Sequence, residues 1–269
     1  MSPATYTDPV AKLLSLGNES PNLEDDWLDY PSQFGFTSGH AAELIRLTTD
    51  TQFDELQADR SELWAPIHAI RALGQLQIEE AIAPLMGLLI QDDDYIQINV
   101  PRALGMIGVG AIAPLTEFIN DDQQEESARG FAIAALGAIG QEQPAARPAA
   151  IEALMALLAD PTRYPGPLST YIAGELIDLK ATEAAPLIQQ AFASGAIDEW
   201  IIGNWPQVQI DLGLKKESDF TPQELRLEPP PYLKEIGSML KLLERQESPP
   251  QGFGTPKIGG SKKKKKKKK

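Results

Sequence analysis

Residues 103–115 read ALGMIGVGAIAPL, and both halves of this stretch recur along the chain. The first half, Ala-Leu-Gly, stands at residues 72–74, 103–105 and 135–137, at intervals of 31 and 32 residues, with a looser copy at 174–177. The second half, Ile-Ala-Pro-Leu or a variant of it, stands at residues 82–85, 112–115, 146–149 and 184–187. Self-similarity at such a period indicates stacked supersecondary units, so the sequence predicts an all-α solenoid of about four repeats.

Each repeat predicts two helices, helix A carrying Ala-Leu-Gly and helix B carrying the proline. Apolar residues of helix A recur at helical spacing, as in Ile67, Ile70 and Leu73. The prolines fall where helix B begins, and the first turn of a helix tolerates a missing N–H (Pro84, Pro114, Pro148 and Pro186). Pro66 and Pro101 lie within helix A patterns and predict a late start or a kink.

The glycines and acids of the repeat carry further predictions. Glycine inside a helix costs about 1 kcal/mol relative to alanine. Its recurrence in one register therefore predicts close contact between neighbouring helices A (Gly74, Gly105 and Gly137). Gly108 and Gly140 follow three residues later and suit the left-handed position that ends a helix. The acidic stretches at 92–94 and 120–122 are expected to cap the helices that follow them.

Residues 61–195 resemble the HEAT-like repeats of the phycobilisome-lyase type, whose consensus is A-x-A-L-G-x-I-G followed by A-x-x-P-L. The resemblance implies a right-handed α/α solenoid, a fold shared by scaffolds, adaptors and some lyase subunits. The Val-Arg pair that opens helix A in the consensus is replaced here by Ala65-Pro66 and Gln97-Ile98. Residues 6–14, 64–69 and 203–214 are similar to a bacterial and cyanobacterial family of such proteins, and this likeness implies no particular reaction.

Four regions are predicted along the chain. They are an N-terminal helical cap (1–60), the repeats (61–195), a C-terminal helical cap (196–247) and a disordered lysine-rich tail (248–269). An open solenoid needs ends that close its core, which is the role expected of the two caps. Within the second cap, residues 232–246 form one apolar stripe and predict a last helix. The tail contains mainly Pro, Gly, Ser and Lys, a composition that cannot bury a core.

Charge is divided unevenly between body and tail. The chain has a net charge of −14, and the run from Lys262 to Lys269 contributes eight positive charges, so residues 1–261 carry −22. Such a body repels nucleic acid and anionic lipid, and it favours either solubility, as a solvated acidic surface, or a basic protein partner. The lysine run favours an anionic partner such as RNA, DNA, a ribosome or anionic lipid, without sequence preference, or it folds back over the acids of the body and shields the groove until a competitor binds.

The residue inventory argues against most enzyme classes. The absence of cysteine excludes disulfides, thiolate zinc sites and a cysteine nucleophile. Neither histidine stands in an HExxH pattern, and the chain has no GxSxG or P-loop motif. We therefore expect no metal, no cofactor and no catalytic residue. The chain lacks a secretory signal and an apolar run long enough to span a membrane, so a cytoplasmic location is expected.

Six side chains of the body are candidate binding residues. Arg71 and Arg102 both precede Ala-Leu-Gly, so they lie in register, with Trp64 and His68 on the first of these helices. Such a ladder could hold the propionates of a tetrapyrrole, or each arginine could pair with a nearby acid. Ala134 stands in the same register and interrupts the ladder. Trp200 and Trp205 are either interface anchors or a plug for the end of the solenoid.

Three functions follow from these features. The first is a non-catalytic protein-binding scaffold or adaptor that uses the acidic solenoid surface. The second is a bilin lyase-like or chaperone-like subunit that acts on phycobiliproteins, which the resemblance implies. The third is an accessory protein that binds nucleic acid or ribosomes through Lys262 to Lys269.

Overall fold

The structure, a computed structural model, describes residues 5–18, 27–53, 59–161, 163–164 and 167–227. Within them the chain is helical and contains no strand, so the predicted all-α solenoid is confirmed. The α-helices are α1 (Tyr30–Phe34), α2 (Ala41–Thr48), α3 (Ala65–Gln75), α4 (Ile82–Met86), α5 (Asp94–Ile107), α6 (Ile112–Asn120), α7 (Glu126–Glu142), α8 (Arg147–Leu158), α9 (Pro167–Asp178), α10 (Ala185–Ser194), α11 (Glu199–Ile202) and α12 (Trp205–Asp211). The predicted helix at 232–246 and the lysine tail lie outside the described residues.

Four helix pairs form two layers. Helices A are α3, α5, α7 and α9, and helices B are α4, α6, α8 and α10. Each helix A packs along the next one, whereas contacts between successive helices B are sparse. Helices A therefore form the more closely packed layer, and we call the exposed surface of this layer the inner surface.

Glycine permits the close packing of the first three helices A. A Cβ at Gly74 would stand 2.8 Å from the Cα of Ala103, and one at Gly105 would stand 2.8 Å from the carbonyl carbon of Ala138. Separations this short between Cβ and backbone do not fit a side chain, so the predicted backbone contact is confirmed at these two positions. Gly137 differs, because its neighbour is the side chain of Glu175.

The helix ends confirm some predictions and correct others. Asp93 caps α5, since its Oδ1 accepts hydrogen bonds of 2.9 Å from the amides of Tyr95 and Ile96. The prediction that residues 120–122 cap the helix that follows them, α7, is wrong. Asp121 accepts instead from the amide of Gln123, within a turn that delays the start of α7 to Glu126. 

The two glycines expected to end helices A also differ from prediction. Gly140 lies inside α7, and a Cβ there would stand 2.7 Å from Cδ2 of Leu179, so this glycine serves helix packing. Gly108 does follow the end of α5 with φ +94°, but its ψ of −142° is outside the left-handed helical region.

The prolines lie close to the helix starts. Pro148 and Pro186 occupy the first turns of α8 and α10, and Pro66 lies in the first turn of α3, after a 3-10 turn at Ser61–Trp64. The late start predicted for the first helix A is therefore confirmed. Pro101 lies within α5, which continues through it.

The segments beyond the repeats pack on the first and last units. Helix α2 lies along α3, and helices α11 and α12 contact α9. No single helix in the described ranges is long and apolar enough to cross a membrane. The pair Asp94–Ile107 and Val109–Asn120 meets the length and composition requirement only as two pieces bent by 114°.

Candidate functional site

The N-terminal half of the inner surface is covered by the chain itself. Residues 27–30 cross α3 and are fixed by Gln75, whose Nε2 donates to the carbonyl of Leu28 (2.8 Å) and whose Oε1 accepts from the amide of Tyr30 (3.0 Å). The indole of Trp27 then reaches both arginines of the predicted ladder. An aromatic segment thus occupies this part of the helix-A layer.

Arg71 and Arg102 are brought together around that indole. Their Cζ atoms lie 5.6 and 4.6 Å from the ring centroid, within the range of a cation–π interaction. Arg71 is 4% exposed, and its Nε donates to Oδ1 of Asn99 at 2.7 Å. Arg102 pairs with Glu142 at 2.9 Å. Both guanidinium groups therefore have partners within the protein.

His68 and Trp64 are engaged in packing. Nδ1 of His68 lies 2.6 Å from the hydroxyl of Tyr30, and its Nε2 lies 2.8 Å from the carbonyl oxygen of Gly17. Burial, assisted by the charge of Arg71, lowers the pKa of His68 to about 4, so the ring is neutral at physiological pH. Trp64 stands edge-on to Tyr95, with ring centroids 4.6 Å apart.

The remaining candidates lie far from this cluster in the chain. Trp205 packs on Phe192 at a centroid separation of 5.9 Å, whereas Trp200 is 46% exposed. Lys262 and Lys269 lie outside the described residues. The structure therefore joins Arg71 and Arg102, through Trp27, and leaves the two C-terminal tryptophans on separate contacts.

The C-terminal half of the helix-A layer is open. A groove of about 620 Å³ runs between α7 and α9 and is also lined by residues of α11 and α12. Its lining includes small residues on the two helices (Gly130, Ala134 and Gly174) and apolar side chains (Phe131, Tyr171, Ile177, Ile201 and Ile202). Ala134 stands in the register of Arg71 and Arg102, so the residue that interrupts the arginine ladder also opens the groove.

The groove is lined by three carboxyl groups and no basic side chain. Two are Asp178 and Asp211, and the third is Glu175, whose carboxyl rests over Gly137. Burial, and secondly the charge of Asp178, raises the pKa of Glu175 to about 8. A largely buried acid beside a groove is a functional-site candidate on physical grounds.

Sequence reasoning missed Glu175 and Trp27. A signal for Glu175 is present in the fourth repeat. There, Gly174-Glu175-Leu176 has a charged residue directly before the leucine, where the other repeats have the alanine of Ala-Leu-Gly. No local signal marks Trp27, because its contacts with α3 and α5 join distant parts of the chain.

A second groove of about 560 Å³ lies at the other end of the repeats. It is lined by residues before α3 together with Trp64, Asp92, Asp93 and Tyr95. Across the described residues, no group of three or more histidine and acidic side chains is arranged to hold a metal ion. The structure thus offers surfaces suited to binding a partner.

Two family models match the sequence of the repeats. A model of HEAT repeats matches residues 53–129, and a model of the PBS lyase HEAT-like repeat matches residues 128–160. These matches cover α3 to α8, which include three of the four helix pairs and the α7 side of the open groove. A comparison with curated proteins gives no match.

Proposed function

Because the chain is a HEAT-repeat protein with repeats of the phycobilisome-lyase type, we propose that it is a non-catalytic scaffold that binds a basic protein partner. HEAT repeats generally mediate interactions between proteins. The binding surface proposed is the acidic inner face formed by helices A. The observation that supports this proposal most strongly is the charge of the helical body.

Residues 1–226 hold all but four of the 38 acidic residues and only half of the 24 basic ones, so they carry −22. Among the described residues, ion pairs join only Arg46 to Glu43, Arg60 to Glu62, Arg102 to Glu142 and Arg129 to Asp122. Most carboxylates of the described residues therefore lie outside these four ion pairs. A surface with such an excess attracts cationic partners and accelerates their association at low ionic strength.

The test compares two baits in an extract of the source organism. One is the full-length chain, and the other has all eight lysines from 262 to 269 replaced by serine. We expect both baits to retain the same basic protein and to release it as the salt concentration rises, because exposed charges are screened. Loss of that protein with the lysines would contradict the proposal and favour a tail-bound anionic partner.

A second candidate function is a role in bilin attachment, favoured by the PBS lyase HEAT-like match at residues 128–160. The two arginines expected to hold propionates are instead engaged by Asn99 and Glu142. Mixing the protein with free phycocyanobilin tests this candidate directly. A shifted and intensified bilin absorbance would support it, and an unchanged spectrum with both arginines intact would exclude it.

A further inference from the structure

One half of the inner surface is occupied by residues of the chain itself, and the other half is open. Over α3 and α5 that surface is filled by residues 27–30, which place an aromatic side chain beside two cations. Over α7 and α9 the arginine is replaced by Ala134, and no described residue fills the groove. The two halves of one surface thus differ in charge as well as in occupancy.

The open half exposes apolar side chains to solvent. Tyr171 is 39% exposed and Ile201 is 51% exposed, and both line the groove. Burial of apolar surface contributes about 25 cal/mol per Å², so covering these side chains favours association. Contiguous exposed apolar surface rimmed by polar groups is typical of a binding site.

The carboxyl groups specify the chemistry of the occupant. The carboxyl of Glu175 has no hydrogen bond or ion pair among the described residues, Asp178 adds negative charge beside it, and Asp211 also lines the groove. A partly buried carboxylate is stabilised when a cation supplies both charge and hydrogen bonds. An anionic ligand would be repelled, and a second copy of this body would bring a surface of the same sign.

We infer that the groove between α7 and α9 is the docking site for a basic amphipathic segment of the protein partner, with apolar side chains against Tyr171 and Ile201 and a lysine or arginine against Glu175. This inference rests on the proposed scaffold function and assigns its binding site. The other ionisable side chains that line the groove are Asp178, Tyr171 and Asp211. None of them carries a positive charge, so no described residue that lines the groove supplies a cation to Glu175.

The probe is a short fluorescent helical peptide of leucine and lysine, titrated by anisotropy against three forms of the full-length protein. They are the wild type, the groove variant E175Q/D178N/D211N, and the control E117Q/E152Q/E183Q. The control removes the same charge from exposed positions on α6, on α8 and just before α10. Circular dichroism confirms that each form is folded.

We expect the groove variant to bind at least about tenfold more weakly than the wild type, and the control variant to stay within about threefold. A peptide with glutamine in place of lysine is expected to lose the difference between the variants. Ala134→Arg provides an independent variant, because an arginine in that register fills the groove and supplies the missing cation. It is expected to weaken peptide binding as well.

Failure of the docking site and failure of the proposed scaffold function give different results. Equal weakening by the groove and control variants, or no weakening by either, would overturn the docking site and leave the acidic scaffold standing. Failure of the wild type to bind the lysine peptide at low salt would contradict both the site and the proposed function.

Discussion

The carboxyl of Glu175 occupies the space that a side chain at position 137 would need, because a Cβ on Gly137 would overlap its Oε2. The equivalent glycines at 74 and 105 face the backbone of the next helix A instead. The glycine of the Ala-Leu-Gly motif therefore has two different structural roles. In the first repeats it brings helices together, and in the third it makes room for an acid beside an open groove.

Replacing these glycines by alanine is expected to have unequal effects. Gly105→Ala forces α5 away from Ala138, and overpacking of this kind costs about 1–3 kcal/mol of unfolding free energy. Gly137→Ala only displaces the flexible end of Glu175, and the gain in helix propensity of up to about 1 kcal/mol offsets the change. Urea denaturation measures both. Equal destabilisation would mean that the backbone also blocks position 137.

Glu175 is expected to destabilise the protein as pH rises. Its pKa is about 8 in the folded state against 4.5 ordinarily, so the folded state retains the proton longer. The stabilising contribution is complete below about pH 4.5 and is lost as pH rises to about 8. Glu175→Gln removes this dependence and should be more stable than the wild type above about pH 8, with little difference near pH 4.5.

The control for that experiment is Glu152→Gln, which neutralises an exposed acid on α8. Its unfolding free energy should run parallel to that of the wild type across the same pH range. Asp178→Asn is a second check, because removing its charge lowers the pKa of Glu175 and shifts the loss of stability to lower pH. If E175Q also runs parallel to the wild type, Glu175 ionises in the folded state at its ordinary pKa.

His68 is expected to give the opposite dependence. Its pKa is about 4 in the folded state against 6.5 ordinarily, so its contribution is present above about pH 6.5 and is lost as pH falls to about 4. His68→Phe also leaves the Tyr30 hydroxyl and the Gly17 carbonyl without their partner, at about 1–3 kcal/mol each. The measured loss should therefore be larger at neutral pH than at about pH 5.

Tyr30→Phe separates the two effects of His68. This substitution removes the hydroxyl that bonds to Nδ1 of His68 but keeps the imidazole that titrates. The unfolding free energy that it loses should therefore change little over that pH range. A loss in His68→Phe that is equally independent of pH would show that the ring does not titrate with a lowered pKa.

The cap of α5 gives a matched pair of neighbouring acids. Asp93→Ala removes the acceptor for the amides of Tyr95 and Ile96, which should cost about 1 kcal/mol of unfolding free energy. Asp92 is exposed and lies just outside this cap. Asp92→Ala should therefore leave the urea midpoint nearly unchanged. A larger effect at 92 than at 93 would contradict the assigned cap.

Periodicity predicted the helix pairs because glycine, proline and apolar residues respond to local geometry. The contact of Gly105 with Ala138 and the cap at Asp93 follow from such local marks. Gly140 was misassigned because a glycine that ends a helix and one that meets Leu179 look alike in sequence. The groove was not predictable, since the environment of Glu175 depends on how α7 and α9 meet in space.

The most direct measurement is site-specific photo-crosslinking of the full-length protein in cells of its source organism. Benzoylphenylalanine replaces Tyr171 in the groove, or Gln189 on the exposed surface of α10 as a control. If the helix-A groove is the scaffold's binding site, one basic protein crosslinks to position 171 and not to position 189. A partner that crosslinks to position 189 and not to position 171 would contradict it.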